Sequence, residues 1–557
     1  MFPQFRRAAL ALAVASIPFA AVAQTLPSSN LPGRERELFG QPPVPQSQPG
    51  APSIALPGAT APVGAEKITI VVRDIQIVGS TVYSREQLAE LDRELVGHAV
   101  PLQAIYDLAQ RITSKYGSDG YVLSRAIVPP QNLDPKGSTI RIEVVEGYVD
   151  KVEWPAALER YRDFFSDYAA KIIADRPANV RTIERYMLLA SDLPGLKFKT
   201  TLKASTRNVA ASTLIVEVVE KPVDAIARVD NRGTSARGPT QFLGSATANN
   251  LIGAHEAVTF TWAGAVPLQE LTYLAGNYRQ VLTSEGLNLF ANFSDSWGRP
   301  GTFTLETLQF RTLGTVFESG LAYPVFRARE QNLTLSGLVF ASDSHSDMLN
   351  APFNNDRLRG LRFKVDADSA DRLGGINQIN FVFSQGIDGL GSTSDNNPLA
   401  SRAPGRVDFS KVEITANRVQ PLGYNFSAFI GGYAQYAFMP LLVPEQCGFG
   451  GRYFGRAFDP SQILGDSCLE TTGELRYDVP QSIPQMSLIQ LYGFSDYGNM
   501  FTRNASVGTP TTVNAASVGT GVRLGWLTYL NTDLQVAKAV EGPRDDWRFF
   551  FAVNARY

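Results

Sequence analysis

The chain has 557 residues, with 51 basic and 53 acidic side chains, a net charge of −2 and only two cysteines. This nearly balanced charge gives no basic surface field and argues against a nucleic acid partner. After the N-terminal leader, no segment approaches the roughly 20 consecutive apolar residues of a membrane-spanning helix. The composition therefore excludes a helical membrane protein.

The N-terminus has the pattern of an export signal. Two arginines precede an apolar run from Ala8 to Ala20, and Ala-Val-Ala at 21–23 is the small-x-small pattern that signal peptidase cleaves. We therefore predict a signal peptide over residues 1–23 and export to an oxidising compartment. A membrane anchor is the alternative, but an apolar run this short, ending in a cleavage site, is a poor membrane span. In that compartment Cys447 and Cys468 are predicted to form a disulfide, with two free thiols as the alternative.

Composition then divides the rest of the chain. Residues 24–66 are rich in Pro, Ala, Gly and Ser, which is typical of an extended linker, and only Pro32–Phe39 is expected to form a short helix. Residues 67–147 and 148–222 each read as strand, helix, helix, strand and strand. Two consecutive units with the same order predict two small α+β domains. Neither contains a nucleophile with a base or a metal-ligand spacing, which favours binding over catalysis.

Residues 223–557 lack helical periodicity and instead alternate apolar and polar side chains. Val258, Phe260 and Trp262, for example, alternate with threonines, and the chain ends in the aromatic strand "WRFFFAVNARY". Sparse charge and a terminal aromatic strand favour a membrane β-barrel over a soluble sandwich. Division of this region by 16 strands leaves about 21 residues per strand and loop, although 14 or 18 strands also fit.

No enzymatic site or cofactor is predicted. His345 lies among serines and aspartates in "SDSHSD", but hydrolytic triads assemble across a fold rather than within one hexapeptide. His98 and His255 have no clustered ligands, so no metal site is expected.

Several motifs resemble the TpsB transporters of two-partner secretion, which export haemolysins and filamentous adhesins. The segments "LAQRITSKYGSDGYVLSRAIVPPQ" and "IRIEVVEGYVDKV" look like their POTRA domain. The segments "RVDNRGTSARGPTQFLGSATANNLIG" and "VGTGVRLGW" resemble their first hairpin and late strands. The resemblance implies a 16-stranded outer-membrane barrel of the BamA-like superfamily, preceded by two periplasmic POTRA domains.

The resemblance also implies a site. The segment "FGRAFDPSQILGDSCLETTGELRY" resembles the family's signature loop, whose arginine folds back inside the barrel and pairs with an aspartate on the inner wall. Arg456 matches that arginine and Asp496 matches the aspartate. The family's usual glycine after the arginine is Ala457 here, which would be strained if the position needs a positive φ. The other matched signature residues are Gly455, Phe458, Gly465 and Asp466, and Cys447 and Cys468 would staple the base of the loop.

The function that the resemblance implies is export of an unfolded exoprotein with an N-terminal secretion domain, without ATP, through a monomeric barrel in outer-membrane lipid. Strand edges of the POTRA domains can accept another strand. The candidate contacts are strand Ile140–Val145 and, within segment 121–131, Tyr121, Val122, Arg125, Val128 and Gln131. A barrel insertase and a general porin are the alternatives. In many relatives an N-terminal helix plugs the lumen, but Pro32–Phe39 is only about 12 Å long as a helix, too short to span the membrane.

Overall fold

A computed structural model of the protein describes residues 38–39, 44–49, 60–134, 136–505 and 510–557. The predicted signal peptide and most of the linker helix lie outside the described residues. None of the helices in the described part is both long and apolar enough to cross a membrane.

The first α+β domain is a four-stranded sheet with order β2-β1-β4-β3, covered by helices. After a 3-10 turn at Ala65–Lys67, its elements are β1 (Thr69–Val78), α1 (Arg85–Asp92), β2 (Ala99–Pro101), α2 (Leu102–Ser118), β3 (Arg125–Ile127) and β4 (Ser138–Val145). Helix α1 begins at a capping box formed by Ser84 and Gln87. Helix α2 buries Ile105, Leu108 and Ile112 against the sheet, as its 3.6-residue periodicity predicts. The short strand β2 was not predicted from the sequence.

The second α+β domain is a three-stranded sheet with order β5-β7-β6. Its elements are β5 (Tyr148–Glu153), a 3-10 helix (Ala156–Tyr161), α3 (Arg162–Ala174), α4 (Val180–Ser191), β6 (Leu196–Ala204) and β7 (Ala211–Glu220). Phe165, Tyr168 and Ile172 of α3 pack into its core together with Leu214 of β7. Strand β6 pairs with β7 on one side only, so it is an edge of this sheet.

The C-terminal region forms a closed barrel of 16 strands, which confirms the predicted fold class. The wall strands are β8 (Val223–Asp230), β9 (Thr240–Asn249), β10 (Glu256–Val266), β11 (Thr272–Val281), β12 (Asn288–Gly298), β13 (Arg311–Arg327), β14 (Gln331–Met348), β15 (Ala351–Ala370), β16 (Ile376–Gly386), β17 (Ser410–Gly423), β18 (Phe426–Ala437), β21 (Ser467–Asp478), β22 (Met486–Phe501), β23 (Thr512–Trp526), β24 (Leu530–Glu541) and β25 (Trp547–Arg556). Between β18 and β21 lie a 3-10 turn (Val443–Glu445), β19 (Cys447–Phe449) and β20 (Ile463–Gly465), and a short helix α5 (Phe303–Thr307) precedes β13.

The alternation in the sequence sets the two faces of the barrel wall. Phe260 and Trp262 of β10 point outward, with 57% and 44% of their surface exposed. Thr259 and Thr261 lie on the opposite face, where their hydroxyls bond to Thr247 and Ser245 of β9. Because side chains alternate with period two along a strand, the apolar face meets lipid and the polar face lines the lumen.

The first and last wall strands close the barrel through a short contact. Strand β25 pairs with β8 between Ala552–Arg556 and Ile226–Asp230, and the Tyr557 amide adds a bond to the Ala225 carbonyl at 2.9 Å. Beyond this ladder, the side chain of Asn231 continues the pairing: its amide donates to the Phe549 carbonyl at 2.9 Å and its oxygen accepts from the Phe551 amide at 2.8 Å. The aromatic C-terminal strand thus removes the open edge, as expected for a barrel in lipid.

The second α+β domain contacts one end of the barrel through charged groups. Arg327 at the end of β13 makes two hydrogen bonds to the Asp192 carboxylate, at 2.6 and 2.9 Å. Glu285, in the turn between β11 and β12, accepts from the Tyr186 hydroxyl at 3.0 Å and pairs with Lys171 at 3.2 Å. Burial by itself raises the pKa of Glu285, but the hydrogen bonds from Tyr186 and Lys171 outweigh burial and lower it. Glu285 is therefore held as a carboxylate in the interface.

Candidate functional site: a loop held inside the barrel

The connection between β18 and β21, residues 438–466, folds back into the barrel, and we call it the lumen loop. Its middle is the hairpin of β19 and β20, whose Cys447–Phe449 and Ile463–Gly465 segments pair antiparallel. Phe449 and Phe458 are buried, with ring centroids 5.5 Å apart. The lumen loop therefore has a small packed core of its own and is not an extended, solvent-exposed segment.

Arg456, at the tip of the lumen loop, is buried against the wall with only 5% of its surface exposed. Its Nη2 donates to Asp496 Oδ1 of β22 at 2.9 Å, and its backbone amide donates to Oδ2 of the same carboxylate at 2.9 Å. Its guanidinium also lies over the Phe494 ring, 3.5 Å from the centroid. Side-chain and backbone bonds to one carboxylate fix both the position and the orientation of the tip.

The Asp496 carboxylate of β22 has partners on both neighbouring wall strands as well as in the lumen loop. The hydroxyls of Thr472 on β21 and Ser517 on β23 each donate to it at 2.8 Å. With Arg456 in place, both carboxylate oxygens are hydrogen-bonded, which meets the requirement for a buried charge.

Glu474 is a second acidic partner that the sequence reasoning missed. It accepts from Arg456 Nη1 at 2.8 Å, and also from Arg476 and Arg523 at 2.6 Å each. The signal was present in the quoted "TTGELRY", because Glu474 shares strand parity with Thr472 and therefore faces the lumen.

Two signature residues beside Arg456 adopt distinct backbone conformations. Gly455 has φ +64°, and a Cβ there would lie 2.6 Å from the Phe449 ring, so only glycine fits. Ala457 does not adopt a positive φ and is fully buried, with its carbonyl accepting from Arg548 at 3.2 Å. The strain considered for alanine at this position is therefore absent.

Asp466, at the other end of the signature, is completely buried where the loop rejoins the wall. Its carboxylate accepts from Arg402 at 2.5 Å, from the Leu441 amide at 3.0 Å and from the Arg503 amide at 2.7 Å. Asp466 thus links the two ends of the lumen loop to each other and to the loops that contain Arg402 and Arg503. The preceding residue, Gly465, belongs to the β19–β20 pairing.

Cys447 and Cys468 form a disulfide, with their Cα atoms 6.5 Å apart. It connects the first residue of β19, in the lumen loop, to the second residue of wall strand β21. Because a disulfide reduces the freedom of the segment that it closes, it restricts the base of the loop.

The N-terminal segment also enters the barrel. Leu38 and Phe39 are helical, and Phe39 is buried against Leu243, Ala263 and Tyr273 of β9, β10 and β11, with 5.3 Å between the Phe39 and Tyr273 ring centroids. Farther along, the Ser47 amide donates to Asp368 at the end of β15. Phe39 therefore occupies part of the lumen, although Pro32–Phe39 is too short to span the membrane as a helix.

The five residues proposed for substrate contact lie between the two α+β domains and along β3. Tyr121 and Val128 pack against the core of the first domain, and Val122 packs against that of the second. Arg125 begins β3, and the Gln131 amide bonds to the backbone N–H and C=O of Arg141 on β4. Strand β4 lies between β1 and β3, so segment Ile140–Val145 is not a free edge, contrary to the sequence-based suggestion.

Each of the three histidines contacts neighbouring side chains or backbone groups. His345 bonds to Asp347 at 2.9 Å, His98 contacts its own turn, and His255 packs against Phe164, with 4.4 Å between ring centroids. Within the described residues, no group of three or more His, Cys, Asp or Glu side chains is arranged to hold a metal ion.

Comparisons with known proteins identify the family. Residues 70–147 match the model of the POTRA domain, ShlB-type, and residues 211–524 match that of the haemolysin secretion/activation protein ShlB/FhaC/HecB. The second match covers more than half of the chain, which therefore belongs to this family. The protein is thus a transporter of the two-partner secretion type in the outer membrane, with its N-terminal POTRA region in the periplasm.

Individual relatives are distant but cover most of the chain. The outer membrane transporter CdiB of Dickeya dadantii (strain 3937) is 22% identical over 472 residues, 82% of this chain and 81% of the relative. The heme/hemopexin transporter protein HuxB of Haemophilus influenzae (strain 86-028NP) is 21% identical over 477 residues, 83% and 82% of the two chains. The solved structure of CdiB from Escherichia coli superposes with a TM-score of 0.71 at 18% identity, covering 91% of this chain and 94% of that one. This last likeness concerns the fold.

Proposed function

We propose that the protein captures one large, unfolded exoprotein, haemolysin- or adhesin-like, through its periplasmic POTRA domains and exports it through a monomeric barrel without ATP. The observation that carries the proposal is a free strand edge that begins at the barrel rim. Residues 1–23 would act as the signal peptide that delivers the transporter itself to the periplasm.

The free edge is β6 of the second α+β domain. The Lys221 amide donates to the Gly195 carbonyl at 2.7 Å, and the Ser205 amide donates to the Ala211 carbonyl at 3.0 Å. In an antiparallel pair, backbone groups alternate between the partner and the opposite side. The odd-numbered residues of β6 therefore bond to β7, and the even-numbered ones, such as Thr200, direct N–H and C=O outward. An unfolded chain can add to this edge as a further strand.

The location of β6 supports delivery into the lumen. At the start of the strand, Gly195 approaches the barrel so closely that a Cβ there would lie 2.7 Å from Asn249 of β9. The bonds from Arg327 to Asp192 and from Tyr186 to Glu285 hold the same domain against the barrel. A segment bound along β6 would thus be held beside the periplasmic opening.

For transport, the segments inside the barrel must move out of the path while the barrel wall stays intact. The tip of the lumen loop and Phe39 are held by contacts that involve side chains, whereas the wall has a continuous backbone ladder. Folding outside the cell, at about 5–15 kcal/mol per domain, would make export irreversible and supply direction without a nucleotide.

A barrel insertase and a general porin remain the alternative functions. An insertase would affect many outer-membrane barrels, and a porin would conduct solutes without affecting any secreted protein. The lumen loop, fixed by buried ion pairs, favours a regulated passage over an open pore.

Deletion of the coding sequence in the native host is expected to remove one large exoprotein from the culture supernatant or cell surface, as measured by quantitative mass spectrometry. Complementation with the wild-type protein should restore it, and the abundance of other outer-membrane barrels should stay unchanged. An unchanged set of exoproteins, or a general loss of barrels, would reject the proposal.

A further inference from the structure

The lumen loop has a second buried ionic contact, far from Arg456. Glu445, in the 3-10 turn before Cys447, is almost completely buried. Its Oε1 lies 2.6 Å from Arg362 Nη2 of β15, and its Oε2 lies 2.9 Å from Lys411 Nζ of β17. The Lys411 ammonium also donates to the Glu445 carbonyl at 3.0 Å. One residue of the loop is thus bound to two wall strands by side chain and backbone.

Each of these cations has another carboxylate on the wall. Arg362 pairs with Glu318 of β13 at 2.8 Å, and Lys411 pairs with Glu413 of β17 at 3.4 Å. Neither cation would therefore be left without a counter-charge if Glu445 were neutral. Neutralisation of Glu445 should therefore leave no uncompensated buried charge in the wall, unlike the loss of one partner from an isolated buried pair.

The two ionic contacts act on distant parts of the wall. In the barrel order, four strands lie between β15, which carries Arg362, and β22, which carries Asp496. Farther along the loop, Arg452 bonds to Asp230 of β8 at a short distance, and Asp459 lies 2.8 Å from Arg548 of β25. The loop therefore crosses the lumen from the Glu445 side to the strands that close the barrel.

We infer that Glu445 is a positioning residue for transport: it fixes the near side of the lumen loop so that Arg456 meets Asp496. The tip is bound to the wall, the disulfide holds one strand of the hairpin, and the Leu441 amide holds the start of the loop to Asp466. Glu445 adds the ion pairs that join segment 438–446 to β15 and β17. A flexible connection loses conformational entropy each time its far end binds to the wall, and this loss weakens the binding. The Glu445 contact removes part of that cost in advance. The inference rests on the proposed function, since it concerns the loop that the proposal places in the transport path.

Glu445→Gln is the test variant, because it keeps the size of the side chain and removes its charge. The matched control is Asp343→Asn, which breaks the pair of Asp343 with Arg359, 2.6 Å long, between β14 and β15 without touching the loop. The purified full-length proteins are treated with trypsin, and cleavage after Arg452 and Arg456 is followed by mass spectrometry after reduction. Secretion of the exoprotein identified by deletion is measured in parallel, and the folded barrel is checked by its compact migration in unheated gels.

We expect Glu445→Gln to keep the compact band, to be cleaved after Arg452 about tenfold faster than Asp343→Asn, and to secrete several-fold less exoprotein, a tenfold change corresponding to about 1.4 kcal/mol. Glu445→Asp should restore secretion in part, because it returns the charge. Cleavage and secretion equal to the control would overturn the inference, as would loss of the compact band. If Arg456→Ala impairs secretion while Glu445→Gln does not, only this inference fails. If neither variant nor deletion affects any exoprotein, the proposed function fails.

Discussion

Secretion is expected to fall at least about tenfold when Arg456 is replaced by alanine. The substitution removes the guanidinium's hydrogen bonds to Asp496 and its pair with Glu474, and leaves only the backbone amide to bond to Asp496, where both carboxylates are buried. Removal of one partner from a buried pair costs about 3–5 kcal/mol, because the remaining charge is left unmatched. The tip of the lumen loop should therefore leave the wall.

Arg476→Ala is the matched control for this experiment. Arg476 also pairs with Glu474, at 2.6 Å, but it belongs to β21 and not to the loop. Arg456→Lys is informative as well, since a lysine cannot reproduce the planar, multidentate contacts of the guanidinium. We expect Arg456→Lys to secrete poorly and Arg476→Ala to remain near wild type.

The readouts are exoprotein in the supernatant and single-channel current in planar bilayers. For Arg456→Ala we expect reduced secretion together with more frequent open events than in the wild type or Arg476→Ala. Secretion by Arg456→Ala at the wild-type level, with a folded barrel, would show that the buried pair has no part in transport.

The second large effect is expected at the outward amides of β6. Thr200→Pro removes one outward N–H, and the ladder to β7 should persist because Thr200 does not donate to it. If the exoprotein adds to this edge, the variant should secrete about tenfold less, since a proline blocks the pairing of the added strand.

Thr200→Ala and Thr201→Pro provide the controls for the β6 variant. Thr200→Ala changes the exposed side chain but keeps the amide and should secrete normally. Thr201→Pro removes an amide that bonds to β7 and should destabilise the domain, which a thermal unfolding curve would detect. If Thr200→Pro secretes as well as Thr200→Ala, the exoprotein does not use this edge.

The sequence was sufficient for the barrel because the signal is local. Strict alternation around Phe260 and the aromatic end at Tyr557 each require only a few consecutive residues. Strand β3 was harder: "SRAIVPPQ" reads as one strand, but two prolines cannot donate to a ladder, and the strand ends at Ile127.

The partners within the lumen were only partly predictable. The family resemblance predicted the pair of Arg456 and Asp496. The contacts of Glu474, and that of Glu445 with Lys411, were not predicted, because they depend on register across several strands and on the fold of a long loop. No local pattern encodes which inward-facing charges meet. The position of Phe39 was not predictable for a related reason, since its burial depends on a lumen that only the closed barrel creates.

The most direct test of ATP-free export is reconstitution. The full-length protein is inserted into liposomes with its POTRA domains outside, and the exoprotein identified by deletion is added in unfolded form without nucleotide. We predict that it becomes resistant to external protease inside these liposomes and stays sensitive with Arg456→Ala liposomes or empty ones. Protection that appears only when ATP is supplied, or equally in empty liposomes, would contradict the account.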